Sequence, residues 1–294
     1  VGTDKDGLYC YDFYTQASKH LKDQYPSVIV SLAEDQKGRI WLGTYREGIG
    51  WVDPVTFQYH RVPFPQDPNL IVMDIAVGND GYLWLGTMKH GIVKMDPNDG
   101  RVLAIYKMKA GADKNRKMNC ITNDYVSQVQ LSPDGKRLYV STSMVLCCLD
   151  IPANSWTSTF GMNCLNYSTP VRITREYDDN LWYGTNEGLF RYDLRTHKTQ
   201  QYTRADGLAD NGIATIERDL QGRLWIGTDH GLSCFTPKSD IWQNYFVDDG
   251  LQSNEFSDGA SFMLPDGILT MGGTAGISWF DSHHIAPSKW EAEV

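Results

Sequence analysis

The sequence predicts an all-β protein: a seven-bladed β-propeller of four-stranded antiparallel blades, with six blades as the alternative. Three observations predict it. A pattern of the type Gly-Arg-Leu-Trp-Ile-Gly-Thr-Asp-His-Gly-Leu, complete from Gly222, recurs along the whole 294-residue chain. Its Thr position falls at 3, 44, 87, 142, 185, 228 and 273, a spacing in the forties except for the one step of 55 between 87 and 142. Within each period, short runs alternating apolar and polar residues are separated by Gly- and Asp-rich turns, as in arrays of small sheets.

Each period reads as four strands. A first, inner strand is illustrated by Ile213-Ala-Thr-Ile-Glu-Arg-Asp219, whose alternation suits a half-buried strand. Next comes a tight turn such as Gln36-Lys-Gly38, Asn79-Asp-Gly81 or Pro265-Asp-Gly267, with residues that tolerate positive φ or bond their own backbone. The second strand carries Trp41, Trp84, Tyr139, Trp182 or Trp225 and ends in Gly-Thr in most copies. One large ring per copy is expected to pack between neighbouring blades. The third strand ends at Asp12, Asp53, Asp96, Asp150, Asp193 or Asp281, and an outer strand carries residues such as Tyr59 or Trp242.

The first copy lacks its inner strand and the last lacks its outer one, so the chain is expected to be part of a larger protein. The long step reflects an insertion over Met108–Cys120. Residues 1–281 are read as the propeller and 282–294 as a C-terminal linker. Formal charge is −9, from 27 Lys and Arg against 36 Asp and Glu, with no basic stripe, which disfavours nucleic acid and anionic membrane as partners. No apolar run is long enough to cross a bilayer as a helix.

Strand direction sorts the loops. If every inner strand runs the same way, the Asp-x-x-Gly turns lie on one face. The turns after Gly-Thr and the connections between blades lie on the other. Residues repeated in each copy serve the fold, and irregular polar or aromatic residues on one face mark function. By that criterion the candidate ligand-binding residues are Tyr45, Arg46, His90, Tyr125, Tyr167, Asn211, His230, Asn254 and Glu255. Together they bring aromatic faces and amide, carboxylate and guanidinium groups to one face.

The Asp-x-x-Gly-x-Leu-Trp-Ile-Gly-Thr pattern, Tyr202-Thr-Arg-Ala-Asp-Gly-Leu208, and above all Asp249-Gly-Leu-Gln-Ser-Asn-Glu-Phe256 resemble the regulator-propeller repeats. Those repeats build the periplasmic sensor of Bacteroides-type hybrid two-component histidine kinases. The resemblance implies a carboxy-terminal propeller, preceded by a second propeller and followed by an immunoglobulin-like domain, a membrane helix and a cytoplasmic kinase. It further implies a periplasmic location, a homodimer in the full-length form, an oligosaccharide ligand and no enzymatic activity in this fragment. Tyr139 in place of Trp, and Leu-Thr-Met-Gly-Gly in the last copy, depart from the repeat.

Motifs for chemistry are sparse. No Walker loop, zinc helix, nucleophile elbow or Cys-x-x-Cys pair occurs, so no catalytic residue, metal or cofactor is assigned. Asp35, Asp80, Asp134, Asp179, Asp219 and Asp266 recur in or beside the turns and are read as turn formers. Cys10, Cys148 and Cys234 share a strand position in copies that are not neighbours and cannot bridge, leaving Cys120–Cys164 as the one plausible disulfide. Two alternatives to a sensor stand at this stage: a carbohydrate lyase or hydrolase on the same fold, and a propeller that binds only protein.

Overall fold

The computed structural model describes all residues except 23, 109–120, 122, 144, 159–169 and 286–294. Cys120, Cys164 and Tyr167, and all of the insertion but Met108, lie outside the described residues, so the candidate disulfide does too. The chain divides into two compact units, Val1–Ser158 and Thr159–Val294.

The first unit opens with a two-stranded hairpin, β1 (Leu8–Tyr11) and β2 (Ser18–Leu21). Three four-stranded sheets follow: β3 (Ile29–Glu34), β4 (Ile40–Thr44), β5 (Ile49–Val52) and β6 (Tyr59–Val62); β7 (Val72–Val77), β8 (Leu83–Thr87), β9 (Ile92–Met95) and β10 (Val102–Tyr106); β11 (Val126–Leu131), β12 (Arg137–Thr142), β13 (Leu146–Asp150) and β14 (Ser155–Ser158). In the second unit, two more follow: β15 (Ile173–Tyr177), β16 (Asn180–Gly184), β17 (Leu189–Asp193) and β18 (Thr199–Tyr202); β19 (Ile213–Arg218), β20 (Leu224–Thr228), β21 (Gly231–Thr236) and β22 (Ile241–Tyr245). Its last sheet has three strands, β23 (Phe256–Met263), β24 (Ile268–Gly273) and β25 (Gly276–Asp281). Every pairing is antiparallel between consecutive strands, the meander of a propeller blade.

The described blades number six, five of four strands and one of three, which corrects the expectation of seven. The first copy supplies only the third and fourth strands of a period, joined to the residues before them by the single Gly2–Leu8 bridge. Two strands bury too little to stand as a blade. The hairpin instead packs Leu8 and Leu21 against Ile29, Leu42 and Val52 of the first complete sheet.

Between neighbouring blades the core repeats itself. Trp41 packs with Val72, Ile75, Leu83 and Leu85 of the next sheet, and Trp182 with Ile213, Ile216, Leu224 and Phe235 of its own next sheet. Trp225 lies among Phe256, Leu269 and Met271. The indole N–H of Trp41 donates to Asp35 Oδ2 at 2.8 Å, and that of Trp225 to Asp219 Oδ2 at 2.9 Å. Each Asp also takes the hairpin's backbone N–H groups on Oδ1, Lys37 and Arg39 in one case and Gln221 and Arg223 in the other. A repeated Asp thus joins the turn to the buried ring.

Gly-Thr has equally local causes. Thr44, Thr87, Thr142, Thr185 and Thr228 are fully buried and donate their hydroxyls to backbone carbonyls across the next turn. In each of these copies except that of Thr142, which follows Ser141, a glycine precedes the Thr, and there the next blade comes close. A Cβ on Gly43 would meet Val72, on Gly86 Val126, and on Gly184 the Ile213 Cγ2 at 2.4 Å. Gly184→Ala is therefore expected to cost about 1–3 kcal/mol by forcing two sheets apart. Urea unfolding would read this as a lower midpoint with the slope kept, and an unchanged midpoint would mean that the sheets part freely.

Candidate functional site

Within each unit, the start of an inner strand pairs with the end of the second strand, as in Ile29 with Thr44 and Ile173 with Gly184. The Gly-Thr turns and the connections between blades therefore share one edge of the sheets.

At that edge of the first unit, Tyr45 is 40% exposed, and the Arg46 guanidinium lies 5.1 Å from its ring centroid. Arg46 holds a left-handed φ of 70°. His90 Nε2 lies 3.1 Å from Asp67 Oδ2, with its ring edge-on to the buried Phe64 at 5.6 Å. A pocket of about 330 Å³ lies alongside, lined by Gly48, Arg61, Phe64, Asp67 and three prolines. Tyr125 is half-buried, and its backbone N–H donates to Asn123 Oδ1 at 2.9 Å.

In the second unit, the two predicted asparagines turn out to hold corners. Asn211 Oδ1 accepts from Arg204 N–H at 2.8 Å, and Asn254 Oδ1 from Val247 N–H at 2.9 Å. Each thereby closes a short 3-10 turn, Arg204–Asp206 or Val247–Asp249. In both turns the Asp carboxylate accepts from the backbone three residues earlier, and the following glycine, Gly207 or Gly250, takes a left-handed φ of 117° or 105°. The Asp-Gly-Leu-x-x-Asn phrase is thus a self-bonded connection between blades, with its amide oxygens committed. The His230 ring lies 5.9 Å from that of Phe246. Glu255 is exposed, and its own backbone bonds Ser253 and Thr274.

A different residue gathers this edge. Arg172, directly before β15, reaches Asp258 Oδ1 from Nε at 2.8 Å and from Nη2 at 2.6 Å. Its Nη1 donates to Asp229 Oδ1 and Oδ2 at 2.9 and 3.1 Å, and to Asn186 Oδ1 at 3.2 Å. One guanidinium therefore ties all three blades of the unit. Its side chain is only 17% exposed, while those of Asp229 and Asp258 are 47% and 56% exposed. Burial works to lower the Arg172 pKa, but the bonds to Asp258 and then Asp229 outweigh it, and the net shift is upward. Asp258 reaches Arg172 from a wide bulge in β23, where register with β24 breaks between Phe256 and Ser261 and Gly259 has a φ of 67°. Bulges of this kind re-aim side chains.

A second charged link lies on the same inner strands. Glu217 Oε1 on β19 accepts from Arg175 Nη2 on β15 at 3.1 Å and from Ser261 Oγ on β23 at 3.0 Å. Arg172 and Asp258 were absent from the sequence-predicted set. Arg172 stands where other copies have Val28, Ile71, Tyr125, Gly212 or Glu255, so an isolated cation at a strand start was the available signal.

Half-exposed carboxylates around a fixed guanidinium offer acceptors for hydroxyl donors. Among the described residues, no group of three or more His, Cys, Asp or Glu could hold a metal. Burial pushes the Cys234 thiol up to about 12, which keeps it protonated and unreactive.

Residues 26–46 match the family model described as two component regulator propeller. No curated protein matches the sequence. The fold is similar to the extracellular domain of the hybrid two component system BT3049 from B. thetaiotaomicron, at a TM-score of 0.81 and 18% identity over 96% of this chain. It is also similar to the extracellular domain of the one component system BT4673 from the same organism, at 0.51 and 16% over 95% of this chain. A third likeness is to the computationally designed Ika8 protein, at 0.62 and 12%, covering 95% of this chain and 79% of that one. The chain spans 37% of the BT3049 structure and 45% of the BT4673 structure. It therefore carries a two component regulator propeller repeat on a fold shared with the extracellular domains of Bacteroides signalling systems.

Proposed function

We propose that this chain is a sensing propeller in the periplasmic ectodomain of a two-component receptor, and that it binds an oligosaccharide at the loop edge around Arg172. The matched repeat and the similar extracellular domains support the sensor reading. The observation that carries the site is the convergence of three blades on one guanidinium whose carboxylate partners stay half-exposed. Tyr45 and Arg46 offer a further stacking surface at the corresponding edge of the first unit. Signalling then requires that the ligand prefer one arrangement of the receptor over another. In this reading it passes through a homodimer and through neighbouring domains to a histidine kinase, with no chemistry on the sugar.

Calorimetry with defined oligosaccharides tests the reading. Saturable heat with unchanged sugar is expected, and Arg172→Ala should weaken it at least about tenfold, or ~1.4 kcal/mol. If Arg172→Ala is silent while Tyr45→Ala abolishes binding, the site belongs to the first unit's edge. New reducing ends or unsaturated products would instead identify an enzyme.

A further inference from the structure

We infer that the Arg172 edge selects uncharged saccharides and rejects those bearing carboxylate or sulfate groups, an inference that rests on the oligosaccharide reading above. The charge balance of the loops carries it. Connections 203–212 and 246–255 contribute two and three carboxylates and one arginine. Turns 185–188 and 229–230 and the β23 bulge add one carboxylate each, and Arg172 adds the second cation. Eight carboxylates therefore face two guanidinium groups along one edge of three adjacent sheets.

Arg172 is the group a uronate or sulfate would need, and it is already engaged. Its Nε, Nη1 and Nη2 are bonded to two carboxylates and an amide oxygen, and its side chain is largely buried. An incoming anion would have to displace Asp229 or Asp258 from it. The displaced carboxylate would then stand beside the new charge, well within a Debye length of about 8 Å. Hydroxyl groups meet no such competition. They donate to the exposed lone pairs of Asp229 and Asp258 while the guanidinium holds those carboxylates in place. Selection of this kind works through the repulsive element, in which unfavourable charge against the wrong ligand sets the difference in affinity.

The test compares neutral hexose and pentose oligosaccharides with matched uronate-containing ones by calorimetry, at low and at physiological salt. A neutral compound is expected to bind with its uronate counterpart at least about tenfold weaker, and the gap should shrink as salt rises. The double variant Asp229→Asn, Asp258→Asn should narrow the gap to within about threefold by removing two like charges. If that variant fails to fold, judged by thermal melting, the salt dependence of the wild-type gap decides. A uronate that binds as well as or better than its neutral partner overturns the selectivity and leaves the sensing reading standing. Binding by neither class overturns both.

Discussion

Trp225→Ala is expected to cost about 3–5 kcal/mol of stability. The ring is fully buried, lies 4.8 Å from Phe280 and 5.8 Å from Tyr245 between centroids, and fills the space between the β19–β22 and β23–β25 sheets. Removing it opens a cavity that rigid sheets close poorly. It also strips an N–H donor from Asp219, whose side chain is wholly inaccessible and must then rely on Arg223 and the turn backbone. Chemical unfolding of the variant against the wild type measures the loss. A cost below about 1 kcal/mol would mean that the blade interface tolerates a void and that the repeated ring is not what joins the sheets.

Asp35→Asn should cost roughly 3 kcal/mol, because it breaks a buried, charged arrangement instead of an exposed pair. Asp35 Oδ2 accepts from Arg39 Nε at 2.7 Å and from Trp41 Nε1 at 2.8 Å, and the two side chains of the ion pair are 3% and 15% exposed. An amide in that position turns a donor toward one of those donors and leaves the guanidinium uncompensated. The same carboxylate predicts an acid response. Burial pushes its pKa up, but the bonds from Trp41, then Lys37 and Arg39, prevail and the folded pKa is lowered. A lowered folded value means that this stabilisation is complete above the unfolded pKa of about 3.9 and is lost as pH falls through the folded one. Stability should therefore hold from neutral pH to about pH 5 and fall below pH 4, with a weaker fall in Asp35→Asn. Equal acid slopes in the two proteins would assign the acid sensitivity to other carboxylates.

Much of the blade was legible because its causes are local. Alternating strands, the Asp that caps its own turn, and the Thr that closes the next hairpin all act within a few residues, so each copy repeats its own instructions. The blade count was less legible. A periodic pattern counts copies, whereas a blade requires enough strands to bury a face, and the first copy has only two. Asn211 and Asn254, expected as ligand contacts, also carry a local role that their sequence context did not announce. Irregular polar residues in a connection look the same whether their amides face solvent or their own backbone, and here both oxygens close a turn.

By itself, then, the sequence determined the strands, their order, the ring that packs between blades, and the edge at which irregular residues collect. Only the tertiary structure decided which of those residues meet. Arg172 is separated from Asp229 by 57 positions and from Asp258 by 86, and nothing in their spacing joins them. Their contact exists because three inner strands lie side by side and a bulge in the third turns one carboxylate toward the first, a consequence of sheet packing that no local pattern records.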